Sequence, residues 1–348
     1  MDSLTPIVDR APDRGGPAQP LLLANNLRKF FPVPGGLLGR STRVVRAVDD
    51  LSLSVAKGET LGVVGESGCG KSTVARLLIR LLKPDRGTMV LDGDPVDEPH
   101  GITLNELRRQ VQMVFQDSYA SLNPRLTIGE TLAFAPKAHG LPAAEARDRV
   151  RDLLTKVGLD PESYFTRYPH ELSGGQRQRV NIARALALRP RLVILDEAVS
   201  ALDKSVEAQV LNMLVDLKAE LGLTYVFISH DLNVVQYLSD RVLVMYLGKI
   251  VEIGAVDAIY GNPQHPYTRA LLSARPSMDP RKRTQEAPIQ GDPPNPIDPP
   301  SGCRFRTRCP FAEEVCARVE PPLADIGSQA VACHMRVAGS GHSKAATP

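Results

Sequence analysis

The sequence lacks any apolar run close to the ~20 residues that a membrane-spanning helix needs. Residues 1–20 contain aspartate, arginine and proline, and they lack the apolar stretch of a signal peptide. We therefore expect a cytosolic chain that reaches a membrane only through partner proteins. No internal repeat is visible either, so the sequence predicts a single copy of its motif-bearing domain.

An excess of charge of one sign is also missing. The formal net charge is +3, and the arginines are spread along the chain. This balance does not indicate nucleic-acid binding, which calls for a basic patch or tract. Cysteine is scarce, with five residues, and four of them lie in one C-terminal segment. In a cytosolic chain such a cluster points to metal binding ahead of disulfides.

A glycine-rich loop at residues 65–73 stands between an apolar run, Thr60–Val64, and a helical pattern at 72–82. This order is typical of a P-loop, whose backbone N–H groups surround phosphates. Lys71 is expected to bridge the β- and γ-phosphates of a nucleoside triphosphate, and the Ser72 hydroxyl to bind Mg²⁺. The loop residues predicted to bind the nucleotide are Gly65, Ser67, Gly68, Cys69, Gly70, Lys71, Ser72 and Thr73.

A second apolar run, Leu192–Leu195, ends in two carboxylates. The carboxyl end of a buried parallel strand is where such sheets bind ligands. We expect Asp196 to hold Mg²⁺ through water and Glu197 to act as the general base toward the attacking water. A surface acidic pair would not account for the four apolar residues that lead into it.

Three further segments complete an ordered set: Val114–Asp117, Leu172–Arg179 and Phe227–Asp231. Together with the P-loop and the two carboxylates, they resemble the motifs of ATP-binding cassette (ABC) ATPases. Within this set, Ser173, Gly174, Gly175 and Gln176 resemble the signature of that family. The resemblance implies that the signature contacts ATP held by a facing subunit, so the chain would form one half of a two-site motor.

The resemblance also implies roles for single residues. Gln116 would bind Mg²⁺ and sense the lytic water. His230 would contact the γ-phosphate and steady Glu197, while Asp203 would couple the two ATP sites across the subunit interface. One part of the family pattern is absent, because the position where ABC ATPases stack adenine on an aromatic residue falls in Arg40–Val44.

The fold class that the resemblance implies is α/β. It combines a P-loop core sheet, an N-terminal antiparallel β-subdomain, a helical subdomain at about 102–172 and a loop-rich, metal-binding C-terminal extension. We predict a cassette at 21–258, the extension at 259–335 and disordered ends at 1–20 and 336–348. Apolar patterns predict strands at 21–31, 44–55, 60–64, 192–195, 225–228, 241–246 and 249–253.

The segment Ile259–Leu272 resembles the C-terminal extension of oligopeptide and dipeptide importer ATPases, and Gly291–Pro294 and Gly302–Pro310 continue the resemblance. It implies an ATP-hydrolysing subunit that energises peptide uptake. This chain resembles the second of the two paralogous ATPases that such importers carry, and it would pair with the other paralogue. The pair would lie beneath two membrane permeases, at the cytoplasmic face of the plasma membrane, and an extracellular binding protein would supply the cargo.

In ABC importers a short permease helix docks beside the segment that follows the glutamine of the γ-phosphate site. We therefore expect Tyr119, Leu122 and Asn123 to lie at or near a permease groove. Two alternatives stay open at this point. In the first, the same motor transports nickel or an oligosaccharide. In the second, the chain is a non-transport ABC ATPase that acts as a switch on nucleic acid or the ribosome.

The C-terminal cysteines follow the spacing C-x5-C-x6-C-x16-C. This spacing matches neither zinc fingers nor bacterial ferredoxins, and four thiolates suit zinc and an iron–sulfur cluster alike. Resemblance to peptide-importer ATPases favours a structural [4Fe–4S] cluster, with zinc as the alternative and four unliganded thiols as the remaining reading. The expected ligands are Cys303, Cys309, Cys316 and Cys333.

Overall fold

The computed structural model describes residues 16, 18–33, 43–275, 291–292 and 294–346. Most of the N-terminus predicted to be disordered, part of the segment where an adenine-stacking residue was sought and most of the proline-rich linker lie outside these residues. The chain divides into two compact units. The first unit comprises Met1–Leu23, Ser54–Glu59 and Val90–Ile228, and the second comprises Ala24–Leu53, Thr60–Met89 and Ser229–Pro348.

The strands agree closely with the apolar patterns, since all seven predicted strands begin and end within a residue or two of their observed bounds. The strands are β1 (Leu22–Pro32), β2 (Val44–Val55), β3 (Thr60–Val64), β4 (Arg86–Leu91), β5 (Asp94–Pro95), β6 (Val111–Val114), β7 (Leu192–Asp196), β8 (Thr224–Ile228), β9 (Arg241–Tyr246), β10 (Lys249–Ala255), β11 (Ala324–Asp325) and β12 (Gln329–Val331).

Several helices begin at a residue whose side chain caps them, and the first helix begins directly after the glycine-rich loop. Among the described residues, no helix is both long enough and apolar enough to cross a membrane. The helices are α1 (Lys71–Leu78), α2 (Leu104–Gln110), α3 (Ile128–Ala138), α4 (Ala143–Lys156), α5 (Pro161–Tyr164), α6 (Gly174–Leu186), α7 (Lys204–Leu221), α8 (Leu232–Leu238), α9 (Val256–Gly261), α10 (Pro266–Ser273) and α11 (Glu314–Arg318).

The first unit is organised around three parallel strands. β6 pairs with β7, and β7 pairs with β8. Every residue of β7 and β8 is buried, as expected for parallel strands that are covered on both faces. Because parallel strands end at the same edge of a sheet, the residues that follow β6 and β7 lie near one another.

The strand β6 lies inside the range for which we predicted a helical subdomain, about 102–172. The prediction was wrong at this point because a run of four residues shows too little periodicity to separate a buried strand from a helix. Its pairing with β7 decides its conformation. The other elements of the range are helices joined by loops, and capping boxes at Thr103 and Thr127 start α2 and α3.

The second unit contains a sheet in the order β11-β12-β10-β9-β3. β3 runs parallel to β9, while β9, β10, β12 and β11 pair antiparallel in turn. All five residues of β3 are buried, and the glycine-rich loop leaves its carboxyl end. The N-terminal strands of this unit form a separate sheet in which β1 lies between β2 and β4.

The C-terminal extension folds onto the second unit, because β12 adds to the edge of β10. The tail that we predicted to be disordered from 336 is ordered as far as 346. His342 is buried, with its Nε2 2.9 Å from the Phe311 carbonyl oxygen, and the Ser343 amide donates to Glu313 at 2.9 Å. The sequence pattern missed this because two polar contacts, rather than an apolar run, hold the tail.

Candidate functional site

The glycine-rich loop is shaped at two positions where no side chain fits. Gly65 and Gly70 have φ angles of +150° and +111°, and a Cβ on them would lie 2.3 Å from the Met245 carbonyl oxygen and 2.2 Å from that of Ala47. Gly68 also has a positive φ, +76°, but a Cβ there would meet nothing within 4 Å. The loop therefore needs Gly65 and Gly70 for close packing of the backbone and Gly68 only for its conformation.

Lys71, the first residue of α1, lies inside the loop that precedes it. Its side chain is buried, and its Nζ donates to the carbonyl oxygens of Gly65 at 2.8 Å and Glu66 at 3.1 Å. The ammonium is thus held beside the loop by groups of the loop itself. Burial raises the pKa of the neighbouring Cys69 thiol, so this cysteine is a neutral packing residue at pH 7.

The rest of the loop is more open. Ser67 and Gly68 are exposed, while Ser72 and Thr73 at the start of α1 are partly buried. The backbone N–H groups at the start of a helix lack intrahelical partners and carry the positive end of the helix dipole. The arrangement is therefore chemically suited to an anionic ligand such as a phosphate chain.

The two carboxylates of the first unit have different environments. Asp196, the last residue of β7, is buried. Glu197 follows with a left-handed φ of +49°, uncommon for a residue with a side chain, and its amide donates to the Ile228 carbonyl oxygen at 2.9 Å. The neighbouring strand β8 thereby fixes the turn that presents the Glu197 side chain.

Gln116 meets Glu197 directly. The Gln116 Nε2 donates to the Glu197 Oε2 at 2.8 Å. The contact follows from the topology, since Gln116 stands two residues beyond β6 and Glu197 directly beyond its neighbour β7. An amide that binds one carboxylate oxygen orients the other, which is the geometry that a general base requires.

The segment Ser173–Gln176 forms the N-terminus of α6. Ser173 and Gln176 form a capping box: the Ser173 amide donates to Gln176 Oε1 at 2.9 Å, and the Gln176 amide donates to Ser173 Oγ at 3.3 Å. Ser173 and Gly174 are exposed. Gly175 is required by packing, because a Cβ there would lie 2.4 Å from a methyl carbon of Val206.

The two remaining predicted residues are exposed. Asp203 is the residue before α7, and its side chain makes no capping hydrogen bond. His230 follows β8 and precedes Asp231, which caps α8. The loop at 65–73 and His230 belong to the second unit, while Gln116, Ser173–Gln176, Asp196, Glu197 and Asp203 belong to the first.

Sequence reasoning missed a contact that the second unit makes to the loop. The Glu66 amide donates to the Tyr267 hydroxyl at 2.9 Å. The Glu66 carboxylate accepts from both terminal nitrogens of the Arg308 guanidinium, at 2.8 Å and 3.1 Å. The pattern at 259–272 pointed to Tyr267 as part of a family segment, but nothing in the sequence relates it or Arg308 to Glu66.

The four C-terminal cysteines border a common cavity. Cys303, Cys309, Cys316 and Cys333 line one small cavity, which is also bordered by His265, His334 and His342. The Cys303 amide donates to the Cys316 carbonyl oxygen at 2.8 Å, which ties two of the four segments together.

Burial raises the pKa of three of these thiols, those of Cys303, Cys309 and Cys333, and so favours their neutral form. Burial, followed by the proximity of the other cysteines, raises the pKa of Cys303 to about 12 and that of Cys333 to about 11. Over the described part of the chain, no group of three or more histidine, cysteine, aspartate or glutamate side chains is arranged to hold a metal ion. The shared cavity and the metal it was expected to hold are therefore separate matters, and the metal site stays a prediction.

Comparison with known protein families matches two parts of the chain. The model described as "ABC transporter" matches residues 48–200, and the model described as "Oligopeptide/dipeptide transporter, C-terminal region" matches residues 251–316. The "Probable peptide ABC transporter ATP-binding protein y4tS" of Sinorhizobium fredii is 51% identical over 91% of this chain and 90% of its own length. This chain belongs to the same family of ABC transporter ATP-binding proteins.

Further relatives support this assignment. The "Oligopeptide transport ATP-binding protein AppF" of Bacillus subtilis is 48% identical over 90% of this ABC ATPase and 97% of its own length. Among solved structures, the ATP-binding cassette MJ0796, in a dimeric post-hydrolysis state bound to ADP and Pi, has 27% identity and a TM-score of 0.58. It covers 68% of this chain and 98% of its own. The predicted α/β fold of an ABC ATPase is therefore confirmed.

The glycine geometry predicts different outcomes for two neighbouring substitutions in this ABC ATPase. Gly70→Ala should abolish measurable MgATP binding, because its Cβ must displace the Ala47 backbone. Gly68→Ala, the matched control, meets no neighbour and should cost only about 1–2 kcal/mol of backbone strain, roughly a tenfold loss of affinity. Calorimetric titration with MgATP checks this; equal affinities for the two variants would contradict it.

Proposed function

We propose that this chain binds and hydrolyses ATP to energise the uptake of peptides through an ABC importer. The observation that carries ATP hydrolysis is the Gln116–Glu197 hydrogen bond at the ends of two adjacent parallel strands, beside the buried Asp196. Peptide cargo is supported by y4tS and AppF, which are named for peptide and oligopeptide transport and align over about nine-tenths of each chain. Nickel, oligosaccharides and nucleic acid find no support in these relatives.

The nucleotide is bound through its phosphates. The N–H groups of the loop at 65–73 and the start of α1 donate to phosphate oxygens, and Lys71 exchanges its carbonyl partners for the β- and γ-phosphates. Ser72, Gln116 and Asp196 are the residues proposed to hold Mg²⁺, and their hydroxyl, amide and carboxylate oxygens are the donors that this hard ion prefers. When bound, Mg²⁺ neutralises phosphate charge.

Hydrolysis needs a base and a fixed water. The oxygen of the water attacks the γ-phosphorus while Glu197 accepts a proton from that water. The bond between the γ-phosphorus and the oxygen that remains with ADP breaks. Gln116, already bonded to the Glu197 carboxylate, orients the base and senses whether the γ-phosphate is present. His230 steadies Glu197 by contact with the γ-phosphate, the role that the family resemblance gives it.

The motor is proposed to work as a pair with a paralogous ATPase. Ser173 and Gly174 are exposed at the N-terminus of α6, where their groups can reach a nucleotide held by a facing subunit. Asp203, also exposed, would complete the interface. The dimeric structure of the cassette MJ0796, bound to ADP and Pi, supports the pairing of two cassettes.

Permeases are proposed to dock beside the segment that follows Gln116. Tyr119 is 55% exposed, and the Arg177 guanidinium lies 5.2 Å from its ring centroid, so an aromatic surface is available there. Leu122, in contrast, is only 4% exposed and braces the loop from inside. We therefore propose that Tyr119 and Asn123, which are exposed, contact the permease and that the buried Leu122 does not. Docking to permeases would place the ATPase peripherally at the cytoplasmic face of the plasma membrane.

The proposed domain division follows the family matches. The cassette at 21–258 contains the whole "ABC transporter" match, and the proposed extension at 259–335 contains most of the C-terminal match. The extension shares the second unit with the glycine-rich loop and therefore does not fold as a separate body.

We also propose that the four cysteines of the extension hold a [4Fe–4S] cluster, with zinc as the alternative. The four cysteines line one cavity, and a metal bound there would stabilise the fold of the segment. Thiolates of a tetrahedral zinc site stand about 4 Å apart, given Zn–S bonds of ~2.3 Å, whereas a four-iron cluster accepts ligands spaced more widely. The cluster would supply structural cross-links through the sulfurs of Cys303, Cys309, Cys316 and Cys333.

The base assignment predicts the behaviour of Glu197→Gln in the assembled transporter. The amide keeps the shape of the side chain but cannot accept the proton, so turnover should fall ~10²–10⁴-fold while MgATP still binds. Steady-state phosphate release, measured beside nucleotide binding, checks this. Any ATP hydrolysis left in this complex could come from the partner's site. The control is therefore a complex in which both ATPase subunits carry the corresponding Glu-to-Gln substitution. Wild-type turnover in that doubly changed complex would contradict the assignment.

The metal assignment predicts the iron content of anaerobically purified protein. We expect about four irons per chain and broad visible absorbance, both lost in Cys309→Ser. Cys69→Ala is the matched control, because this buried cysteine lies in the glycine-rich loop and should leave the iron content unchanged. Elemental analysis decides: one zinc and no iron would retain the site but reject the cluster, and no metal would reject both.

A further inference from the structure

Glu66 is an acidic residue inside a loop whose ligand is strongly anionic. Its carboxylate is paired with Arg308 through two parallel N–H···O bonds, at 2.8 Å and 3.1 Å, the fork geometry of the stronger ion pairs. Its amide is paired with the Tyr267 hydroxyl at 2.9 Å. Both partners lie in the C-terminal extension, 259–335, so the extension contacts Glu66 through its backbone amide and through its carboxylate.

Burial and aromatic packing hold Arg308 and Tyr267, the two partners of Glu66, in place. The Arg308 side chain is only 7% exposed, and its Nη1 also donates to the Tyr246 hydroxyl at 3.3 Å. Tyr246, Tyr267 and Phe305 pack together, with ring centroids 4.7–5.4 Å apart. Burial lowers the pKa of Arg308, but its contacts with Glu66 and Tyr246 raise it by more, so the guanidinium stays charged.

The charge balance of the loop depends on this pair. A carboxylate near the phosphates repels them, and two unit charges several Å apart at a partly buried site interact by a few kcal/mol. With Arg308 in place, the Glu66 carboxylate is neutralised and turned toward the guanidinium. Without Arg308, the loop would meet the triphosphate with an uncompensated negative charge.

We infer that Arg308 of the C-terminal extension is a positioning residue for nucleotide binding: it cancels the charge of Glu66 and, together with Tyr267, fixes the loop in the conformation that binds phosphates. The inference rests on the proposed function, in that the ligand is MgATP. It assigns to the extension a direct task at the nucleotide site, in addition to its packing.

The test is a double-substitution cycle in the full-length chain, in the Glu197→Gln background that stops turnover. Arg308→Gln should weaken MgATP binding about tenfold or more, the size expected for a charged hydrogen-bonded pair. It should weaken MgADP binding less, because ADP carries less negative charge. Adding Glu66→Gln to Arg308→Gln should restore MgATP affinity to within a few fold, since the repelling charge is then gone.

Arg306→Gln is the matched control. Arg306 stands two residues from Arg308 and hydrogen-bonds Ser301, so its substitution should leave MgATP affinity unchanged. If Arg308→Gln does not fold, as judged by thermal melting, the single variant Glu66→Gln decides. It removes the negative charge alone and should bind MgATP as tightly as the parent or more tightly.

Unchanged affinity in Arg308→Gln, no recovery in the double variant, or an equal loss for MgATP and MgADP would overturn the inference. Weaker MgATP binding by Glu66→Gln alone would also overturn it. Failure of the parent chain itself to bind MgATP would instead refute the proposed function, so the two failures are distinguishable.

Discussion

The proposed function of this protein depends on the shape of the glycine-rich loop at 65–73, whose backbone must leave room for phosphates. One backbone hydrogen bond lies within the loop, from the Cys69 amide to the Glu66 carbonyl oxygen at 3.2 Å, and the neighbouring segments impose the rest of its shape. Backbone oxygens of Ala47 and Met245 press on Gly70 and Gly65, β3 and α1 fix the two ends, and Lys71 bonds back to the loop carbonyls. A loop held by these contacts has little conformational freedom to lose on binding.

The residues of the first unit that we propose as catalytic are held in the same manner. Glu197 is presented by a strained turn bonded to β8, and Gln116 is bonded to Glu197. The segment after Gln116 is tied to α6, because Asn181 donates to the Ser118 carbonyl oxygen and accepts from the Ser121 hydroxyl, both at 3.0 Å. A shift of Gln116 on loss of the γ-phosphate would therefore displace Tyr119, where we propose that a permease docks, and the N-terminal part of α6, which carries the signature.

The sequence predicted what depends on local pattern and spacing. The apolar runs located the buried strands, and the polar residues at their carboxyl ends, such as Asp196 and Glu197, marked the site because parallel strands end together. It missed β6, which is too short to show a period, and the ordered tail around His342, which is held by polar contacts. The Glu66–Arg308 pair could not be predicted either, because an ion pair between residues 242 positions apart leaves no local pattern.

The central claim is that this chain is one half of an ATP-driven pair that moves peptides. The most direct measurement is ATP hydrolysis and peptide uptake, followed together in vesicles, as the chain is combined with its paralogue and the permeases. The account predicts slow hydrolysis by the dilute, isolated chain and a large, parallel rise of both rates on assembly, abolished by Lys71→Ala. Hydrolysis at the full rate by a strictly monomeric chain, or peptide uptake that survives Lys71→Ala, would contradict it.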